Sequence, residues 1–174
     1  MADIIYTPQA TANRMATLLN VGPGMKVLDP GSGLGALAQA VHALQPTAEI
    51  TCVDNDTGTY AGLEGLSWAH VVKADFLNVW RVLLPAHFDR VIMTPPFSEA
   101  LNTEHVTQAF SLLKPGGRLV AAVNRTFKTR SGAKWDAFRA LHAQNLVSEE
   151  TIANGTFREN NVNIVTSIIV WAKS

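Results

Sequence analysis

Cysteine is the scarcest resource in this chain. Cys52 is alone among 174 residues, which excludes a disulfide framework and a thiolate-bound metal centre. It lies in the apolar run Ile50-Thr51-Cys52-Val53, where packing inside a buried strand is its expected role. The histidines His42, His70, His87, His105 and His142 never fall four apart as a helical metal pair would, and none stands beside a convincing nucleophile. No metal is expected. Charge is sparse as well: 14 Lys+Arg balance 14 Asp+Glu, and charged residues make up 16%. A net charge of zero removes the global attraction of a basic domain for nucleic acid, so any such contact needs a local patch. Long hydrophobic runs are missing. No segment approaches the ~20 apolar residues that span a bilayer, and Met1-Ala2-Asp3-Ile4 lacks the basic-then-apolar start of a secretory signal. A cytoplasmic protein with no membrane partner is expected.

What is present is enough for one core. Hydrophobic residues make up 47%, and a chain of this length forms one domain, here residues 1–174. Short apolar runs alternate with helical patterns, which predicts βα units and a parallel sheet covered by helices on both faces. Thr7-Pro8 reads as an N-cap followed by proline at the first helical position, with Ala12, Met15, Ala16 and Leu19 on one face. Strands are predicted at Met25–Asp29, Glu49–Asp54, Trp68–Lys73, Phe88–Met93, Arg118–Val123 and Ile164–Ala172. A helix with the stripe Leu34, Leu37, Ala38, Val41 and Leu44 follows the first strand. Another carries Val106, Ala109, Phe110 and Leu113 and ends at the turn Lys114-Pro115-Gly116-Gly117. The polar, basic stretch Asn124–Gly132 reads as a mobile loop before a helix bearing Trp135, Phe138 and Leu141.

Two segments carry chemistry. Asp29-Pro30-Gly31-Ser32-Gly33-Leu34-Gly35 is a strand, glycine loop and helix start, where missing side chains let main chain approach a ligand. Asp54 ends the next strand, at the distance where an acid can bond the hydroxyls of a ribose. The glycines alternate and an acid stands before the first, unlike the dinucleotide pattern. That carboxylate would repel a pyrophosphate but would pair with a cationic amino acid. The second segment is Thr94-Pro95-Pro96-Phe97, after the run Val91-Ile92-Met93. Two prolines give a stretch of carbonyls with few donors, a surface suited to an NH2 group, and Phe97 can offer an aromatic face to a flat base or amide. The alternative is a strand-ending turn with Phe97 in the core.

These residues resemble the class I S-adenosylmethionine-dependent methyltransferases, and among them those acting on adenine N6 of DNA. Val27-Leu28-Asp29-Pro30-Gly31-Ser32-Gly33-Leu34-Gly35 is similar to the first family motif, and Thr94-Pro95-Pro96-Phe97 to the catalytic Asn/Asp-Pro-Pro-aromatic motif. The resemblance implies a Rossmann-like α/β fold: a seven-stranded, mostly parallel sheet with one antiparallel strand. It implies S-adenosyl-L-methionine as cofactor, S-adenosyl-L-homocysteine as its product, and DNA as partner. Asp29, Pro30, Gly31, Ser32 and Gly33 would face the cofactor, with Asp54 and Asn55 at its ribose and Asp75 and Phe76 at its adenine. Ile5-Tyr6-Thr7-Pro8 resembles the segment enclosing the methionine end, so Tyr6 and Thr7 join the cofactor set, as does Thr94. Asp75 also reads as a helix N-cap and Tyr6 as a hydrophobic staple. Catalysis would fall to Thr94, Pro95, Pro96 and Phe97.

Position 94 departs from the pattern, because Thr stands where Asn or Asp is usual. Its hydroxyl reaches less far than an amide or carboxylate oxygen, and a lost acceptor is worth a few kcal/mol of transition-state stabilisation, or on the order of a hundredfold in rate. Arg125, Lys128, Arg130 and Lys134 form a basic stretch that would hold phosphates, the alternative being a solvated face. No separate target-recognition domain is evident, so specificity would be short, relaxed or supplied by a partner. RNA adenine and a protein glutamine amide are alternative acceptors with a planar NH2. A cofactor-binding module with weak or no catalysis is the remaining alternative.

Overall fold

Apolar side chains alternate along the central strands and so supply two cores, one on each face of a sheet. In the computed structural model, Val27, Ile92, Val120 and Ala122 belong to one core. Their strand neighbours Leu28, Val91, Met93, Leu119, Ala121 and Val123 belong to the other. The structure describes residues 6–79, 88–97, 99–153, 155–159 and 162–174; Ile5 and His87, named above, lie outside them.

The strands are β1 (Lys26–Pro30), β2 (Glu49–Asp54), β3 (Ala69–Lys73), β4 (Phe88–Met93), β5 (Leu113–Asn124), β6 (Leu146–Thr151), the short pair β7 (Arg158–Glu159) and β8 (Val162–Asn163), and β9 (Thr166–Ala172). The helices are α1 (Gln9–Leu19), α2 (Ala36–Leu44), α3 (Thr57–Glu64), α4 (Phe76–Val79), α5 (Glu99–Ser111) and α6 (Ala133–Asn145), with a 3₁₀ turn at Arg125–Lys128. Seven strands form one sheet in the order β3-β2-β1-β4-β5-β9-β6. Among the described residues, β9 runs antiparallel to both of its neighbours, β5 and β6, and the other pairs in this sheet are parallel. The expected Rossmann-like architecture is therefore present, and the order reverses between β1 and β4. Such a switch point opens a crevice at the C-terminal strand ends. Leu28 stands opposite Val91 there, so the loops leaving Pro30 and Met93 begin level with each other on adjacent strands.

Several expectations change. The α1 face is as read, with Ala12, Met15, Ala16 and Leu19 buried, but Thr7 makes no cap bond and Pro8 precedes the helix. Leu34 and Leu44 leave the buried stripe: they are 47% and 60% exposed, because Gly35, at φ 78°, starts α2 late and Leu44 is its last residue. Leu113 belongs to β5, where it pairs with Phe88 before the turn residues bulge out and pairing resumes at Arg118 opposite Arg90. Strand β6 was not foreseen.

The stretch expected to be a mobile loop is anchored instead. Asn124 Oδ1 accepts from the Thr126 N–H, and Phe127, 1% exposed, packs edge-on against Phe138 at 5.1 Å. Arg139 donates to the carbonyls of Phe127 and Arg130. Phe127→Ala should lower unfolding free energy by roughly 3–5 kcal/mol in urea titrations, whereas a change under 1 kcal/mol would show the segment only rests on the core.

Candidate active site

A glycine loop at a helix start usually offers free N–H groups to an anion. Here the donors of Gly31, Ser32, Gly33 and Gly35 are spent. Gly31 N–H and Ser32 N–H both donate to the Val53 carbonyl at 2.7 and 3.1 Å. Gly33 N–H donates to Asp54 Oδ2 at 2.8 Å, and Gly35 N–H to the Ser32 carbonyl. Ser32 Oγ donates to the Asp29 carbonyl and accepts from Val53 N–H. The loop is thus stitched to β2 and is no phosphate cradle. It still leaves room: a Cβ built on Gly31 or Gly33, both at positive φ, meets nothing within 4 Å.

Beneath it lies the most unusual group in the molecule. Asp29 has no exposed surface, and neither carboxylate oxygen has a well-formed hydrogen bond. Burial pushes its pKa up to about 8, helped by the charge of Asp54 and opposed by the nearby Ala38 N–H. Cys52, its register partner on β2, is buried as expected, and burial raises its thiol to about 12. Such a carboxylate is costly unless a positive group meets it.

The remaining residues expected at the cofactor line the same edge. Asp54 Oδ1 accepts from the Asp56 N–H and from Thr59 Oγ1, which aims the carboxylate past the end of β2, and Asn55 is exposed beside it. The Ala74 N–H donates to the Asp54 carbonyl, bringing Asp75 next to it. Asp75 does cap α4, accepting from the Leu77 N–H at 3.0 Å and the Asn78 side chain at 2.9 Å. Phe76 turns its ring into the core. Tyr6 is 56% exposed.

At the second loop, Thr94 Oγ1 lies 2.8 Å from Thr7 Oγ1. Pro95 is buried and Pro96 exposed. Phe97 departs from the expected stacking face: it is 1% exposed and packs edge-on against Phe157, ring centroids 5.0 Å apart. The core alternative describes its side chain correctly, because a ring at the end of a buried strand gains more from the core than from solvent. Two asparagines hold this loop. Asn102 Nδ2 donates to the Pro96 carbonyl at 3.2 Å, and Asn124 Nδ2 to the Phe97 carbonyl at 3.3 Å. Sequence reasoning missed both; an amide ending an apolar strand was a usable signal for Asn124, whereas Asn102 sits in a polar helical stretch without one.

Asn124 also joins this loop to the basic segment. Arg125 and Lys128 occupy the 3₁₀ turn, and Arg130 and Lys134 follow on exposed backbone. Lys128 pairs with Glu149 at 2.7 Å, and Lys134 lies over the Trp135 ring. Among the described residues no cluster of His, Cys, Asp and Glu could hold a metal, and no helix is long and apolar enough to cross a membrane.

A family model for the methyltransferase small domain matches residues 9–149. The chain belongs to that family. It is 31% identical over 124 residues to a tRNA (guanine(6)-N2)-methyltransferase of Thermus thermophilus, covering 62% of this chain and 36% of that protein. It is 30% identical to a release factor glutamine methyltransferase of Xylella fastidiosa, covering 68% and 40%. The chain therefore spans well under half the length of these relatives. A type I restriction-modification methyltransferase subunit from Streptococcus thermophilus superposes with a TM-score of 0.82 at 22% identity, covering all of this chain and 46% of that one, which establishes the fold. The methyltransferase domain uses S-adenosylmethionine, and its residues fit that group. The unpaired Asp29 carboxylate suits an ammonium, and a loop with consumed donors suits a cofactor without phosphates.

The folded domain keeps the Asp29 proton up to about pH 8, against 3.8 for a free carboxyl. Between those values the unfolded chain binds fewer protons than the folded one, so ligand-free stability should fall as pH rises. Asp29→Asn should flatten that fall in urea titrations at pH 5 and pH 8; an unaltered slope would show the carboxyl already ionised in the fold.

Proposed function

We propose that this domain transfers a methyl group from S-adenosylmethionine to the planar amino group of a nucleobase, with adenine N6 of DNA as the acceptor. The observation carrying this reading is the placement of Thr94-Pro95 level with the glycine loop across the β1–β4 switch point. When bound, S-adenosylmethionine supplies a sulfonium methyl. Asp29 would pair with its ammonium, joined by Tyr6, Thr7, Pro30 and Ser32 along the same edge. Asp54 and Asn55 would accept from its ribose hydroxyls, and Asp75 with the Phe76 main chain would border its adenine.

An aromatic amine is a poor nucleophile because its lone pair is delocalised into the ring. The Thr94 oxygen and the Pro95 carbonyl accept its two N–H groups and so favour a tetrahedral nitrogen with a localised pair. Asn102 and Asn124 occupy the next two carbonyls and fix the direction of the loop. With the amino nitrogen held so, its N–C bond would form as the methyl leaves the donor sulfur, which would keep the bonding pair, and the nitrogen's surplus proton would leave to solvent. Arg125, Lys128, Arg130 and Lys134 would meet phosphates flanking the base, with Lys128 also paired to Glu149. An adenine in duplex DNA must be extruded, at about a few kcal/mol. A partner supplies target choice.

A second reading, an amino group of RNA, is supported by the likeness to the tRNA methyltransferase. Tritiated S-adenosylmethionine offered with DNA, RNA or protein separates the acceptors. Label in DNA at N6-methyladenine is expected, and Thr94→Val should reduce it by roughly ten- to a hundredfold. Label confined to RNA or to glutamine would replace the acceptor, and cofactor binding with no labelled pool would contradict methyl transfer altogether.

A further inference from the structure

Thr7 stands one residue before Pro8, the N-cap of α1, so its hydroxyl lies outside the first helical turn. It is turned instead to Thr94, with Oγ1 to Oγ1 at 2.8 Å across 87 residues of sequence, in a part-buried setting. Both side chains are β-branched and stiff about χ1, so the pairing holds each oxygen in place.

A hydroxyl differs from the Asn or Asp oxygen usual at position 94 in one way that matters here. It carries a proton. A Thr94 proton directed at the reacting nitrogen would occupy the lone pair that must attack the methyl group. The pair with Thr7 has two possible orders, and only one suits an arriving N–H. If Thr94 donates to Thr7, its proton is placed away from the acceptor and both its lone pairs remain. If Thr7 donates to Thr94, the Thr94 proton still needs a partner and one lone pair is lost.

We propose that Thr7 is a positioning residue for the methyl acceptor, taking the hydroxyl proton of Thr94 so that Thr94 meets the amino group as an acceptor only. This rests on the amino-acceptor reading above. It explains how a threonine stands in for an amide or carboxylate at this position, and it ties the segment before α1 to the chemistry at the end of β4.

The test is a double-mutant cycle read as kcat on the labelled acceptor, with cofactor affinity from calorimetry and folding checked by thermal melting. Thr7→Val should lower kcat roughly three- to tenfold beyond any change in cofactor affinity, and Thr7→Ser should restore it. In a Thr94→Asn background Thr7→Val should have no effect on kcat, because a carbonyl oxygen has no proton to place. The proposal falls if Thr7→Val leaves kcat untouched, costs the same factor in both backgrounds, or acts on cofactor affinity alone. A wild-type protein that binds cofactor yet labels no pool would sink the amino-acceptor reading and this proposal with it. An additive cycle in an active protein would sink this proposal alone.

Discussion

A buried carboxyl with no well-formed hydrogen bond governs the sheet edge. Asp29 ends the central strand under a loop that covers it fully, and the surrounding residues share one tendency. They remove competing donors. The loop N–H groups go to Val53, Asp54 and Ser32, and Ser32 Oγ serves its own strand end and β2. The local chain has left its one unmet acidic site for something from outside. Folding tolerates this because the carboxyl keeps its proton in the free domain, and the cost of an isolated buried charge is deferred until a cation arrives.

The neighbouring loop is built on the opposite economy of groups. Proline removes donors at positions 95 and 96, and side-chain amides from α5 and β5 occupy the carbonyls of Pro96 and Phe97. What remains is a short acceptor surface at Thr94 and Pro95. The two loops leave adjacent strands at the topological switch point, so the Asp29 carboxyl and the Thr94-Pro95 segment are brought to neighbouring strand ends by the sheet order. Methyl transfer between a sulfonium donor and an amino acceptor requires just that adjacency.

Much of this was legible in the residues, for definable reasons. Central strands and the α1 face announce themselves through periodicity, and Asp29, Asp54 and Thr94-Pro95-Pro96-Phe97 through order along the chain. Edge strand β6 did not, because its residues are exposed or half-buried and give no clean alternation. Leu34 and Leu44 match a helical period yet lie at the ends of α2, where a glycine in the left-handed region delays the start. The anchoring of Arg125–Lys128 depends on Phe127 reaching Phe138 and His142, contacts that a polar, basic stretch conceals. Phe97 read as a stacking face because the motif suggested one, but burial against Phe157 prevailed. The Thr7–Thr94 bond spans too much sequence for any local pattern to reveal.

In the function proposed, the cofactor's ammonium completes Asp29. Calorimetric titration of S-adenosylmethionine at pH 6.5, run in two buffers of different ionisation enthalpy, measures the protons exchanged on binding. Asp29 is protonated there when free, with its pKa up to about 8, and must ionise to pair, so binding should release about one proton per cofactor and Asp29→Asn should release none. Binding without proton release, or equal release by the variant, would contradict the claim.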